Sequence, residues 1–386
     1  MKTFILLALA AVISIPSFAQ SISVSGEGKT GIVWERTENR QGTEETITTV
    51  YMHNRDDAGS GHGRFRINLD YTNAAGNLGF RARLNWENFF ETTDHLPFGP
   101  QWTYAFGWGS FFNDQLVLSL GKLGASPWST GGPEMWRELE ITNFGGLRVE
   151  WKPAFVPGEL NIGFVLNWLD DITDDVTISR EPTLVDLLLE SVIGVSYKND
   201  WFMARAAYRL DSEMDNQFAR DGYYDAEGPK IVYRVEEYAL QRLVPNLSAW
   251  ALGYIYGFGT PVPAITFSTE NWLFVEYAPP AFTALIRFGY EDTGIRSTYF
   301  IRPSFAYNLF DGLLVPSVIF SYANADYKED PDMWYSYIDI EPKIQVNFAP
   351  GAYAAISYYW RSQVAYPPPN STFTRHLINL RAGITF

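Results

Sequence analysis

The sequence predicts an all-β chain, a transmembrane antiparallel β-barrel of about 18 strands, and three observations lead there. From Ser21 to Phe386, stretches of roughly ten residues alternate apolar and polar with a period of two. The breaks between stretches alternate between short and long. The polar face of many stretches is charged, which a packed protein core does not tolerate.

The chain opens with Lys2, an apolar run from Phe4 to Ile15, and Pro16-Ser17-Phe18-Ala19. These are the charged, apolar and small-residue regions of a secretory signal peptide, so residues 1–19 read as a leader cleaved after Ala19. Residues 20–386 then form a single barrel domain. No later run is long and apolar enough to cross a bilayer as a helix. The sequence has no cysteine, which excludes disulfides, thiolate metal sites and lipid attachment through an N-terminal Cys. The net charge of −15 argues against nucleic acid as a partner.

The alternation is clearest at Arg64 to Tyr71, where Phe65, Ile67, Leu69 and Tyr71 oppose Arg64, Arg66, Asn68 and Asp70. In Leu78 to Glu87, Leu78, Phe80, Ala82, Leu84 and Trp86 oppose Gly79, Arg81, Arg83, Asn85 and Glu87. The same holds around Leu147 to Lys152, Phe202 to Leu210, Phe282 to Glu291 and Ile338 to Asn347. Short breaks fall at Asn73 to Asn77, Asn113-Asp114, Pro153 to Gly158, Lys198 to Asp200, Val244 to Asn246, Pro279-Pro280, Asp311-Gly312 and Ala349 to Gly351. Longer polar connections include Glu35 to Gly61, Leu123 to Glu140, Asp170 to Pro182, Ser212 to Pro229 and Asn324 to Met333. Short periplasmic turns on one rim and long extracellular loops on the other are the layout of a bacterial transmembrane barrel.

An even strand count returns both termini to the short-turn rim. Sixteen strands is the alternative, because parity slips around Glu236-Glu237 within Lys230 to Leu243, and Ile265 to Tyr277 is weakly patterned. Aromatics crowd the strand ends: Phe111-Phe112, Trp151, Trp201, Tyr277 and Phe348 near short turns, and Trp34, Trp168, Trp334 and Trp360 near loops. Two such belts suit the two interfaces of a membrane.

The last twelve residues place Ile378, Leu380, Ala382, Ile384 and Phe386 on one face, with Phe386 at the terminus. In this the sequence resembles bacterial outer-membrane barrels, whose final strand ends in an aromatic read by the barrel-assembly machinery. The resemblance implies that Phe386, Ile384 and Leu380 form that assembly signal. It also implies lodging in the bacterial outer membrane among its lipids and lipopolysaccharide.

With lipid outside, the charged face points inward, carrying Arg64, Arg66, Arg81, Arg83, Arg148, Arg205, Arg234, Arg287, Arg302, Arg361 and Arg381. Ionised groups resist dehydration, so the lumen is expected to hold water. Acidic residues gather largely in the connections, which predicts a negative mouth above a positive wall. Most aromatics have outward parity, which favours passive diffusion of small hydrophilic solutes and ions over a substrate-selective channel; outside transport, the alternative is a non-conducting adhesin or structural barrel.

The connection Leu123 to Glu140, LGASPWSTGGPEMWRELE, falls between the apparent fifth and sixth strands and resembles the constriction loop of general porins. The resemblance implies an inward fold that sets Glu134, Glu138 and Glu140 against a basic ladder of Arg64, Arg66, Arg81 and Arg83. It also implies a homotrimer. An alternative use of the arginines is bracing of the wall, as in Arg83 with Glu87 or Arg148 with Glu150.

No catalytic spacing stands out among His53, His62, His95 and His376, so the chain is not read as an enzyme. Asp211 to Asp215 opens like a calcium loop, but Asn216 and Gly222 occupy positions that need Gly and Glu. The sequence implies neither a metal nor another cofactor.

Overall fold

The computed structural model describes residues 19–39, 46–52, 64–87, 101–123, 128, 145–167, 191–209, 230–256, 268–292, 296–328, 334–366 and 372–386. The first strand segments are β1 (Ala19–Asn39), β2 (Thr46–Met52), β3 (Arg64–Asn73), β4 (Leu78–Glu87), β5 (Gln101–Phe111) and β6 (Leu116–Lys122). Next come β7 (Gly145–Trp151), β8 (Glu159–Asn167), β9 (Val192–Lys198), β10 (Phe202–Arg209), β11 (Lys230–Glu237), the short helix α1 (Ala239–Leu243) and β12 (Leu247–Tyr256). The rest are β13 (Ser268–Tyr277), β14 (Phe282–Asp292), β15 (Arg296–Ile301), β16 (Ser304–Tyr307), β17 (Leu314–Tyr327), β18 (Trp334–Ala349), β19 (Ala352–Tyr366) and β20 (Phe373–Thr385).

Each segment pairs antiparallel with its neighbours, and β1 closes the sheet on β20 from Glu27↔Thr385 to Asn39↔Phe373. Two wall strands are interrupted. Along its other edge β1 pairs first with β3, over Ala19–Lys29, and then with β2, over Ile32–Glu38, so β2 and β3 are halves of one strand. Likewise β15 and β16 both lie between β14 and β17, broken at Arg302-Pro303. Pro303 has no N–H to give the ladder, yet the backbones of Arg302 and Arg287 still exchange both hydrogen bonds, at 2.8 and 3.2 Å. The wall is therefore a closed barrel of 18 strands.

Three expected boundaries move. The expected loop from Glu35 to Gly61 instead begins as strand: β1 runs on to Asn39 and residues 46–52 pair with it. The alternation is hidden there because β2, TITTVYM, carries threonines on both faces. The connection expected from Asn324 narrows to 328–333, since β17 reaches Tyr327. The parity slip after Glu236 has a physical cause: the Glu237 carboxylate accepts the N–H groups of Ala239 and Leu240, at 2.6 and 2.8 Å, and starts α1. The strand ends there and no pair is lost.

The short turns gather on one rim. Two of them repeat a pattern in which Phe112-Asn113-Asp114 and Phe310-Asp311-Gly312 all have positive φ. Asn, Asp and Gly accept that conformation readily. Their phenylalanines stand exposed beside Phe111, Trp151, Phe155, Trp201 and Phe348, which fits a membrane-interface belt. Ile22, Val24, Leu120, Ile193, Leu273, Ile344, Leu380 and Ile384 face outward and exposed along the strands. An apolar outer wall of this extent needs a non-aqueous surrounding.

Aromatic rings lie over glycines in the neighbouring strand. A β-carbon on Gly79 would sit 2.6 Å from Nε1 of Trp108, its cross-strand partner, whereas nothing lies within 4 Å at Gly76, whose φ is +73°. Gly79→Val should therefore lower stability by about 2–3 kcal/mol and Gly76→Ala by about 1 kcal/mol, read from urea unfolding in micelles. Equal losses would show that the ring does not rest on Gly79.

Candidate functional site in the barrel lumen

The inner face is built by strand parity, so its chemistry can be followed from strand to strand. On the side made by β17 to β20, β1, β3 and β4, it is a lattice of ion pairs. Arg361 grips Asp339 with two hydrogen bonds, at 2.7 and 2.8 Å, and its guanidinium lies 4.1 Å from the centre of the Tyr337 ring. Arg375 grips Glu35 at 2.6 and 3.0 Å, tying β20 to β1 at the closure. Arg381 reaches Glu341 at 3.5 Å, both side chains buried. Bidentate pairs of this kind fix orientation as well as charge.

The predicted ladder residues lie on adjoining strands. Arg64 begins β3 and pairs in register with Glu87 of β4. Arg66 meets Glu27 at 3.3 Å and Asn85 at 3.0 Å. Arg83 donates to Asn68 at 2.7 Å and lies 5.0 Å from the Tyr104 ring centre. Its expected partner Glu87 is four residues along the same strand, roughly 13 Å away at about 3.3 Å per residue, while Asn68 stands directly opposite. Arg81 pairs with Asp70 at 3.1 Å, and these side chains remain 59% and 42% exposed although both point inward. That exposure leaves both groups accessible to water. Arg148 does brace the wall: it meets Glu150 at 2.9 Å, both buried, and Asn161 donates to the same carboxylate at 2.9 Å.

The expected positive wall is thereby corrected. Acids sit among the inner arginines, because strand parity delivers Glu27, Glu35, Asp70, Glu150, Asp339 and Glu341 to the same face. Glu134, Glu138 and Glu140 lie outside the described residues, as do the acidic segments 170–182 and 212–229.

The opposite side of the lumen sets an apolar cluster among charged groups, with Arg234 and Glu236, 2.7 Å apart, directly across from Leu252 and Trp250. Phe106, Val165, Val192, Val232, Leu252, Tyr254, Trp272 and Phe274 form one buried cluster, joined by Leu123 and Trp128 from the β6–β7 connection. Trp250 stacks on Phe274 at 5.0 Å and 7°, and Trp272 on Phe300 at 5.3 Å. The expectation that aromatics mostly face outward fails here. On β12, LSAWALGYIY, both faces are apolar and polarity cannot mark the inside; size can, since Trp250, Leu252 and Tyr254 alternate with Ala249, Ala251 and Gly253. On β13, Glu270 and Glu276 share parity with Trp272 and Phe274, a usable signal for an inward face.

On the outer face, His376 accepts or donates through Nδ1 to the Tyr358 hydroxyl at 2.7 Å, as an outward-facing His should. Phe386 lies over Gly26, and its backbone N–H and carbonyl both bond Gly26, at 3.0 and 2.8 Å.

No protein-family model matches the sequence, and neither does any curated protein. Among solved structures, OccAB1 of Acinetobacter baumannii superposes with a TM-score of 0.52 at 11% identity, covering 94% of this chain and 97% of that one. OccAB3 of the same organism gives 0.51 at 10% identity, covering 94% and 100%. At such identity the likeness is one of fold. The architecture defines a closed, transmembrane, antiparallel β-barrel, and the solved structures it resembles are outer-membrane β-barrel proteins.

The two kinds of inner ion pair should respond differently to neutralisation. Glu150→Gln leaves Arg148 buried beside a neutral amide and should cost about 3–5 kcal/mol, whereas Asp70→Asn, in water, should cost about 0–1 kcal/mol, both from urea titrations. Similar costs would contradict a wet lumen at Arg81.

Proposed function

We propose that this chain is an outer-membrane channel through which small hydrophilic solutes and ions diffuse passively. The observation that carries the reading is the inward-facing, half-exposed pair Arg81–Asp70 inside a closed barrel with an apolar exterior. Ionised groups so placed require water, and a barrel of this strand number has room for it. The mixed charge of the wall favours polar solutes over apolar ones, which would displace ordered water without replacing its interactions.

A substrate-selective channel is the second reading, favoured by the stacked inner rings of Trp250, Phe274, Trp272 and Phe300. Their burial limits the ring face offered to a passing solute. In either case the narrowest zone is proposed to lie between Arg64, Arg66, Arg81 and Arg83 on the wall and Glu134, Glu138 and Glu140 from the connection after β6. Phe386, Ile384 and Leu380, on the outer face of the closing strand, are proposed as the assembly signal.

Reconstituted into a planar bilayer, the purified barrel should give stable ohmic steps; a folded, heat-modifiable barrel without conductance would overturn the channel. Glu134→Gln combined with Arg83→Gln should shift the reversal potential in a salt gradient. An unchanged potential rejects this pair as part of the constriction.

A further inference from the structure

The inner wall repeats one small device: a glycine in one strand and an aromatic ring laid over it from the next. Trp108 covers Gly79, Trp272 covers Gly289 with a closest approach of 2.8 Å to a built β-carbon, and Tyr353 covers Gly383. Each of these pairs is a direct cross-strand partnership.

One seat differs. Gly163 of β8 and Gly194 of β9 face each other, and their other cross-strand neighbours are Glu150 and Ala207. No strand offers this glycine pair a ring. The indole that covers both is Trp128, which is fully buried and comes from the connection after β6. A side chain on either glycine would occupy the space of that indole.

The register gives the distances involved. Gly163 is level with Glu150, and Glu150 with Val117, five residues back down β6 from Lys122. At about 3.3 Å per residue the indole sits roughly 16 Å below the end of the strand it follows. Sideways, it passes β7 and rests between β8 and β9, roughly 12 Å from β6 at about 4.8 Å per strand. Only five residues separate Lys122 from Trp128. Trp128 is thus anchored on the inner wall well below the end of β6, in the same cluster as Leu123.

We propose that the Gly163–Gly194 pair is a binding seat for a planar aromatic ring on the lumen wall, filled by the chain's own Trp128, and that this clasp sets the cross-section of the pore. The seat is preformed, with Val165 and Val192 on one flank, in the same buried cluster, and Asn161 and Ser196 on the other. A ring-shaped space whose apolar flank is left uncovered by loss of the native ring is a site for a small aromatic molecule. The second half of the proposal rests on the channel reading; the first does not.

The test uses Trp128→Ala with free indole as the probe. Calorimetry on the folded, heat-modifiable barrel in detergent should detect indole binding to Trp128→Ala. It should detect none to the parent protein or to Trp128→Ala/Gly194→Val, whose added side chain fills the seat. In bilayers Trp128→Ala should raise unitary conductance and open-channel noise, and indole should reverse both. Gly194→Ala in the otherwise unchanged chain should raise conductance in the same way, which keeps the test available if Trp128→Ala does not fold. Absence of indole binding to folded Trp128→Ala, or equal binding to the double variant, overturns the seat. Parental conductance in Trp128→Ala and Gly194→Ala overturns the clasp as the pore-setting element. A parent that binds no indole and passes no current, beside a Trp128→Ala that binds indole, overturns the channel and leaves the seat standing.

Discussion

Closure of the backbone hydrogen-bond ladder between β1 and β20 is the constraint from which the rest of this structure follows. Hydrocarbon offers no partner to an amide, so a sheet that crosses a membrane cannot keep an open edge. Once β1 and β20 pair, every strand has two neighbours, and side-chain parity divides the whole sequence into an inside and an outside. The Arg375–Glu35 pair and the Phe386–Gly26 backbone bonds reinforce that seam at two heights. The broken strand of β15 and β16 keeps the division, since Arg296 of β15 pairs with Glu291 of β14 at 3.2 Å on the inner face.

Inside, the barrel solves two problems with different chemistry. One side keeps charges, paired across strands so that each arginine finds an acid or amide without leaving the wall. Buried ion pairs add little net stability but are costly to break, so they act as fixed points of the lining. The other side adds a cluster of rings and aliphatic groups to pairs such as Arg234–Glu236, and around the wall glycines leave the space that rings occupy.

Much of this was legible where the two faces differ in polarity. Arg64 to Tyr71 and Leu78 to Glu87 declare their inner face directly, and β3 and β4 follow those bounds closely, β3 running two residues further. The short turns were legible because Asn, Asp, Gly and Pro mark them. Where both faces are apolar, as on β12, or both carry hydroxyls, as on β2, alternation of polarity vanishes and the strand or its inner face goes unread. The pairing of acids with arginines needed the register, since Glu35 and Arg375 are far apart in sequence. The seat of Trp128 was out of reach for the same reason: Gly163 and Gly194 acquire meaning only as cross-strand partners beneath a ring from elsewhere.

The division into a wet inside and a lipid outside is most directly tested by scanning β4 with single cysteines, which the absence of native cysteine makes clean. In barrels reconstituted into vesicles, cysteines at 81 and 83 should react with a charged, water-soluble thiol reagent, and cysteines at 80 and 84 only with a lipid-soluble one. Reaction without alternation, or alternation in the opposite phase, would contradict the assignment of the arginine face to a water-filled lumen.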